Sequence, residues 1–553
     1  MDYEFDLGSH CRTVTTSSVA AQKWFDRGLA WTYGFNHEEA VACFKRAIAA
    51  DPDCAMAWWG VSYAIGPNYN KPWEAFDEED LAASLKAACE AAKRACELSG
   101  ECSAAEISLI GALPSRYQSE IPVENMESWH DDYAAAMRAV YSAHDSDADI
   151  ASLFAEALMN RTPWELWDLK TGKIAEGAST AEAREVIESS MKRLADEGLP
   201  PHAGLLHMYI HLMEMSPFPE KALTACDQLR GLVPDSGHLN HMATHIDVMC
   251  GDYAEVVASN NAAMVSDRKY LAKEGPLNFY SLYRSHNYHF KIYGAMFLGQ
   301  YKPAIETAEE MISTLPENLL KVKSPPMADW LEAFIPVKQH VFVRFGKWDE
   351  ILSQEFPENS ELYCSTIATM RYARAVAFAS KEDVEAAEKE AAEFDEALKR
   401  VPDSRYLFNN SCLDILAVAR EMMRGEIEYR KGNFNAAFAH LREAVKLDDS
   451  MPYDEPWGWM QPARHALGAL LLEQGRVEEA AAVYRADLGY DPTLSRACQH
   501  PDNVWSLSGY HECLERLGDK SEAAIIKQRL NIALGRTDLP VNASCYCRLS
   551  VVG

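Results

Sequence analysis

The chain has 553 residues, 48% of them hydrophobic and 25% charged, the balance of a soluble globular protein that can bury several domain cores or one extended array. Its formal net charge of -30 opposes phosphate backbones and anionic lipid, which excludes nucleic acid and membrane surfaces as partners. The start, "MDYEFDLGSHCRTVTTSS", lacks the basic and apolar regions of a secretory signal, and no run reaches 18 apolar residues; with fourteen cysteines scattered mostly singly, a cytoplasmic protein with reduced thiols is expected.

After an N-terminal tail (1–20), glycine and proline are sparse inside long apolar-periodic windows, so helices are predicted almost throughout. In residues 21–52, "AQKWFDRGLAWTYGFNHEEAVACFKRAIAADP", one helix carries Trp24, Gly28 and Trp31 and a second carries Ala40, Phe44 and Ala47; Pro52 closes the unit. Small residues at such positions let two antiparallel helices approach while aromatics fill the gaps. Irregular inserts follow, "GPNYNKPWEAFDEED", "LPSRYQSEIPVENMESWHDD" and "NRTPWELWDLKTGKIAEGAST", holding Trp73, Trp129, Trp164 and Trp167. Inserts of that length are either lids over a groove or loops anchored by their tryptophans. Later units are "FLGQYKPAIETAEEMISTLP", "YRKGNFNAAFAHLREAVKLDD" and "LLEQGRVEEAAAVYRADLGYDP". The terminal "CYC", Cys545 and Cys547, is read as a frayed end, with metal binding or oxidation as the alternative.

These units resemble the tetratricopeptide-repeat family. The resemblance implies an all-α fold, a tetratricopeptide-repeat α-solenoid of antiparallel helix pairs with long inserted loops. The expected organisation is N-terminal helices with inserts (21–150), a histidine-rich region (151–330), C-terminal repeats (331–540) and a tail (541–553). The resemblance also implies that the first helix of each pair lines a concave groove, with its second, fifth, ninth and twelfth residues pointing inward. In that register a unit beginning at Ala203 aims His207, His211 and Glu214 at the groove. A unit beginning at Gly237, in "GHLNHMATHIDVMCGDY", aims His238, His241 and His245, and a unit beginning at Ser285 aims His286 and His289.

With 17 histidines in the chain, roughly 3 in 100, twelve groove positions should hold fewer than one by chance. Histidines three or four apart rise from adjacent turns of one helix face and can chelate one ion, so the cluster predicts a metal site of one or two ions. A nitrogen-rich set poor in carboxylate suits copper, with iron or zinc as alternatives. Glu214 is the candidate general base, or else the partner that orients His211. Asn240, Arg284, Tyr288, Trp164 and Trp457 are candidate substrate contacts; His37 is set aside as a capping or packing residue, and His340 because the degenerate unit that puts it on a groove position does not fix its register.

Segments such as "FNHEEAV", "GPNYN", "GHLNHM" and "HNYHF" further resemble a group of long histidine-rich tetratricopeptide proteins of bacteria and fungi, a group that supplies no activity. Three functions stay open: a metal-dependent, dioxygen-using oxidoreductase acting on a small molecule in the groove, a metal-dependent hydrolase or lyase, and a repeat scaffold binding a peptide or protein partner.

Overall fold

Local chemistry sets the first helix pair. The Ser18 side chain accepts the Ala21 N–H and opens α1 (Val19–Tyr33); the Asn36 side chain accepts the Glu39 N–H and opens α2 (His37–Ala50). Between them Phe35 takes a left-handed backbone, φ 53°, a conformation that costs a non-glycine residue energy. Gly28 of α1 faces Phe44 of α2 so closely that a Cβ there would stand 2.5 Å from the Phe44 ring, and a Cβ on Gly60 of α3 (Ala55–Ile65) would stand equally near. One aromatic of α2 is thus clasped by glycines of the helices before and after it, which is the packing device expected from the sequence.

The structure, a computed structural model, describes residues 3–549. Helices continue as α4 (Glu78–Leu98), α5 (Ala104–Arg116), α6 (Ser128–Ala143), α7 (Ala148–Met159), α8 (Thr180–Asp196), α9 (Ala203–Glu214), α10 (Leu223–Leu229), α11 (Gly237–Met242), α12 (Thr244–Cys250), α13 (Tyr253–Glu274) and α14 (Ser281–Phe297). The chain divides into two compact units, the first made of residues up to Ile246 with Asn261–Arg284, the second of Asp247–Asn260 with the residues from Ser285 on. In the first unit α1 packs on α2, α3 on α4, α5 on α6 and α7 on α8, and α9 lies against α7 and α8.

The second unit contains α15 (Tyr301–Ser313), α16 (Glu317–Leu320), α17 (Met327–Leu331), α18 (Val337–Arg344), α19 (Trp348–Ser353), α20 (Cys364–Ser380), α21 (Val384–Leu398), α22 (Cys412–Arg430), α23 (Phe434–Asp448), α24 (Ala463–Glu473), α25 (Val477–Asp487), α26 (Val504–Leu517) and α27 (Lys520–Leu534). Its pairs are α20 with α21, α22 with α23, α24 with α25 and α26 with α27. The glycine clasp recurs here: Cβ atoms on Gly468 of α24 and Gly509 of α26 would lie 2.5 and 2.3 Å from the ring of Tyr484 in α25. Two short hairpins, Trp167–Asp168 with Lys173–Ile174 and Tyr406–Leu407 with Asn410–Ser411, are the strands among the described residues. The fold is all-α, as expected, and no helix among the described residues is long and apolar enough to cross a membrane.

Two expectations are corrected. The helix read through His238, His241 and His245 is interrupted at Ala243, because the Thr244 hydroxyl donates to the His241 carbonyl at 2.7 Å and the backbone tightens locally, Ile246 N–H bonding Ala243 O. The end of the chain is not frayed over its described residues. Arg344 donates to the Ser544 carbonyl, Arg430 to the Cys547 carbonyl, and Arg548 reaches Glu512 at 2.6 Å; Cys545 and Cys547 are joined as a disulfide, while the other twelve cysteines are free thiols.

Candidate metal centre

The first unit gathers His207 and His211 from α9, His238 and His241 from α11, His245 from α12, and Glu214 from the end of α9. All six side chains are buried, with at most 1% exposure, whereas the register predicted an open groove. Aromatic rings close over them. Phe35 lies 4.4 Å from the His207 ring and 5.5 Å from His238; Tyr69 and Trp164 lie 4.9 and 5.6 Å from His211; Tyr283 lies 5.0 Å from His238. Two of these, Phe35 and Trp164, hold left-handed backbones, φ 53° and 61°, so strain and site coincide.

The hydrogen bonds fix which ring nitrogens face inward. A carbonyl cannot donate, so His207 Nδ1–H donates to Tyr33 O at 2.7 Å and leaves a lone pair on Nε2. Glu214 accepts His211 Nδ1–H on one oxygen at 3.0 Å and His245 Nδ1–H on the other at 2.7 Å. The Thr244 hydroxyl, whose proton is committed to His241 O, accepts His241 Nδ1–H at 3.3 Å. His207, His211, His241 and His245 therefore carry their protons on Nδ1 and turn Nε2 inward. His241 Nε2 and His245 Nε2 stand 2.7 Å apart, and His207 Nε2 and His238 Nε2 stand 3.1 Å apart. His211 Nε2 is buried with no hydrogen-bond partner, a cost that a ligand at that atom would remove. Ring nitrogens this close share a proton or a cation, and His238 Nε2–H can donate to the His207 Nε2 lone pair; two nitrogens on one tetrahedral ion would stand about 3.3 Å apart. The ligand atoms of His207, His211 and His238 lie within 4.8 Å of one another, as do those of His211, Glu214 and His245.

Burial holds His207 down to about 3, against the Tyr33 carbonyl and helped by neighbouring imidazoles, and pushes His211 well below the usual histidine range. Both rings stay neutral at physiological pH, the form that binds metal. The pattern of Nδ1 tied outward to a carboxylate or carbonyl, with Nε2 facing in, is how metal-bound histidines are held.

A second group, His10, Asp149 and His202, fails this test. His202 Nδ1 accepts the Leu205 N–H and caps α9, so its Nε2 carries the proton and donates to Asp149 Oδ1 at 3.0 Å. His10 Nε2 lies 2.9 Å from the same oxygen, the Tyr33 hydroxyl donates to it at 2.6 Å, and Arg12 holds the other oxygen at 3.0 Å. This hub is a buried anion that seats the site: His202 starts α9, and Tyr33 bonds Asp149 through its hydroxyl and His207 through its carbonyl. Its members were missed in the sequence because Asp149 and Tyr33 belong to helices far from the histidine run; His202, next to the predicted start at Ala203, was the one legible clue.

The remaining candidates are placed as follows. Asn240 donates to Pro234 O at 2.8 Å, and buried Arg284 donates to Ser281 Oγ at 3.0 Å. His286, His289, Tyr288 and Trp457 belong to the second unit. There His286 packs on Phe408 at 4.7 Å, His289 Nε2 lies 2.7 Å from Met460 Sδ, the Tyr288 hydroxyl donates to Glu310, and Trp457 Nε1–H donates to Asp448. Of the insert tryptophans, Trp73 and Trp129 pack on each other at 5.9 Å as loop anchors, Trp167 Nε1–H donates to Leu212 O of α9, and Trp164 reaches the imidazoles.

The fold and site together define an all-α protein of repeated helix pairs with a buried imidazole cluster. The tetratricopeptide-repeat family model matches residues 24–54, which span α1 from Trp24, all of α2 and the turn before α3. No curated protein matches the chain. Among solved structures the chain is similar to a chain of Naa15/Naa10 bound to HypK-THB, at 14% identity over 93% of this chain and 70% of that one with a TM-score of 0.22. It is similar to yeast Tom70 at 14% identity, 92% and 98% coverage and TM-score 0.30, and to the APC/C hetero-tetramer Cut9-Hcn1 at 11% identity, 96% and 96% coverage and TM-score 0.27. TM-scores this low leave the fold class resting on the chain's own helix pairs and the matched repeat.

Proposed function

We propose that the first unit holds a transition-metal centre and that the protein is a metal-dependent oxidoreductase acting on a small molecule. Copper suits the donor set best, and iron or zinc are the alternatives. The observation that carries the reading is the inward turn of the Nε2 atoms, with His211 Nε2 buried and unpartnered while its Nδ1 is tied to Glu214. A bound copper or iron ion would supply one-electron chemistry and affinity for dioxygen. The chain's own part is to keep His207 and His211 neutral, to hold His207, His211, His241 and His245 by outward hydrogen bonds, and to shut out water with Phe35, Tyr69, Trp164 and Tyr283. Glu214 serves this scheme as a positioning residue, since each of its oxygens accepts an imidazole N–H. That occupation also disfavours the hydrolase reading, which needs a carboxylate free to take a proton from water.

The matched tetratricopeptide repeat supports a second reading, a helical scaffold for a peptide or protein partner. Metal analysis of untagged protein separates the two. The expected result is one or two copper, iron or zinc ions per chain in the wild type, loss of that metal in His211→Ala and His241→Ala with helical circular dichroism retained, and full metal in His440→Ala, a half-exposed residue bonded to Glu421 in the second unit. A wild-type protein that neither retains nor takes up any of these metals leaves the scaffold reading standing alone.

A further inference from the structure

The pair Cys545 and Cys547 lies outside the metal reading. The disulfide joining them closes a loop of only three residues. Such a bridge removes little entropy from the unfolded chain, because the stabilisation grows with the length of the loop closed. Nor does the tail need it for docking. On the N-terminal side Ser544 is held by the Arg344 guanidinium and by the Tyr484 hydroxyl at 2.6 Å; on the other side Arg430 donates to the Cys547 carbonyl and Arg548 pairs with Glu512. A bridge that adds little stability, in a segment already anchored at both ends, suits chemistry better than stapling.

Its surroundings suit one chemistry. Both cysteines line a cavity in the second unit together with Arg344, Tyr372, Gln461, His465 and Glu426, whose carboxyl is paired with Arg430. Cys547 is 3% exposed, whereas Cys545 is half-buried and its Sγ accepts the Cys547 backbone N–H at 3.2 Å. An amide on the more accessible sulfur and a nearby guanidinium both favour thiolate over thiol. Arg344 is available for that purpose. It bonds His465 Nδ1 at 2.8 Å and the Ser544 carbonyl, its Nε–H has no partner, and no carboxylate among the described residues lies within ion-pair distance of it. Cys545 is half-buried and Cys547 buried, so the partner that reaches the bridge is a low-molecular-weight thiol arriving at Cys545 and not the surface of a folded protein.

We propose that Cys545 and Cys547 form a redox-active pair that exchanges with low-molecular-weight thiols, Cys545 being the sulfur attacked and Cys547 the leaving group. The thiolate of the small thiol attacks Cys545 Sγ, the Cys545–Cys547 bond breaks, and Cys547 leaves with the electron pair and takes up the proton the small thiol gave up. A second small thiol attacks the mixed disulfide at its non-protein sulfur and frees Cys545. The net change is one protein disulfide and two thiols converted into one protein dithiol and one small-molecule disulfide.

The test uses full-length protein in native buffer. After exposure to oxidised glutathione, free thiols are blocked with one maleimide; dithiothreitol is then added, the new thiols are labelled with a second maleimide, and labels are mapped by peptide mass. Cys545 and Cys547 should carry the second label while circular dichroism is unchanged. Finding the first label on either, or needing denaturant before they react, overturns the proposal. Single variants test the order of attack. Cys547→Ser should accumulate glutathione on Cys545, and Cys545→Ser should leave Cys547 unmodified; equal modification of both would remove the assigned roles. None of these readouts depends on the histidine site.

Discussion

Glu214 shows how much one side chain does at the residue scale. It is buried at the end of α9, and each of its two oxygens receives an imidazole N–H, from His211 at i−3 and from His245 across the turn into α12. Replacing it by glutamine keeps the volume but offers one acceptor oxygen and one NH₂, so one of the two imidazoles must face a donor and either rotate or change tautomer. Glu214→Gln should lower metal affinity about 10- to 100-fold, the usual cost of losing a partner that orients a metal-bound histidine. Competition against a chelator of known affinity measures it. If affinity is unchanged while metal is still bound, the ligands are not held through Glu214. Asp149 differs, because it holds α9 and Tyr33 and touches none of the inward nitrogens.

At the scale of elements, the repeated device is a glycine on one helix that admits an aromatic ring from the next. Gly28 has the Phe44 ring at 2.5 Å from where a Cβ would stand, so Gly28→Ala should destabilise the first unit by about 1–3 kcal/mol, the cost of overpacking a full core. Gly111, inside α5, has nothing within 4 Å of its Cβ position. There the same substitution should stabilise by about 0.5–1 kcal/mol, since alanine loses less backbone entropy on entering a helix. Urea unfolding of the two variants side by side gives both values; equal effects would mean that clasp and open surface are not different environments. The break at Ala243 belongs to this scale as well. It gives His241 and His245 separate short helices, and across that break their Nε2 atoms come to 2.7 Å.

At the scale of the whole molecule, the second unit carries a pH response of its own. In the second unit burial raises Asp448 to about 7 against bonds from the Ala463 N–H and Trp457, and raises Asp454 to about 8 against bonds from Asn410 and the Glu455 N–H. Unfolded aspartates titrate near 3.9, so between about 4 and 8 the folded unit binds more protons than the unfolded one. The stability these two groups contribute falls as pH rises, being fully present below about 4 and lost through 7 to 8. Buried His289, His340 and His465, lowered to about 3 to 4, act the opposite way below about pH 6.5, so the thermal midpoint of the second unit should decline from about pH 6.5 to pH 8, and Asp454→Asn should flatten that decline. Calorimetry across the range decides it, and a midpoint that climbs toward pH 8 would mean that other groups dominate.

The chain's own pattern determined the all-α class, the helix pairs and, in the region 203–245, five of the histidines that meet in the first unit, because apolar periodicity, glycine turns and i,i+3 and i,i+4 spacing are local properties carried by neighbouring residues. The starts at Ala203 and Gly237 coincide with the observed helices for the same reason. Only the tertiary structure decided that these histidines are buried and which nitrogen each turns inward. Those outcomes depend on Phe35, Tyr69, Trp164 and Tyr283 folding over the rings, and on Tyr33 and Thr244 supplying acceptors. Tyr33 lies 174 residues from His207 in the chain, and no helical period relates positions so far apart. The docked Cys545–Cys547 tail was hidden for the same reason, since its anchors Arg344, Arg430 and Glu512 come from three separate helices.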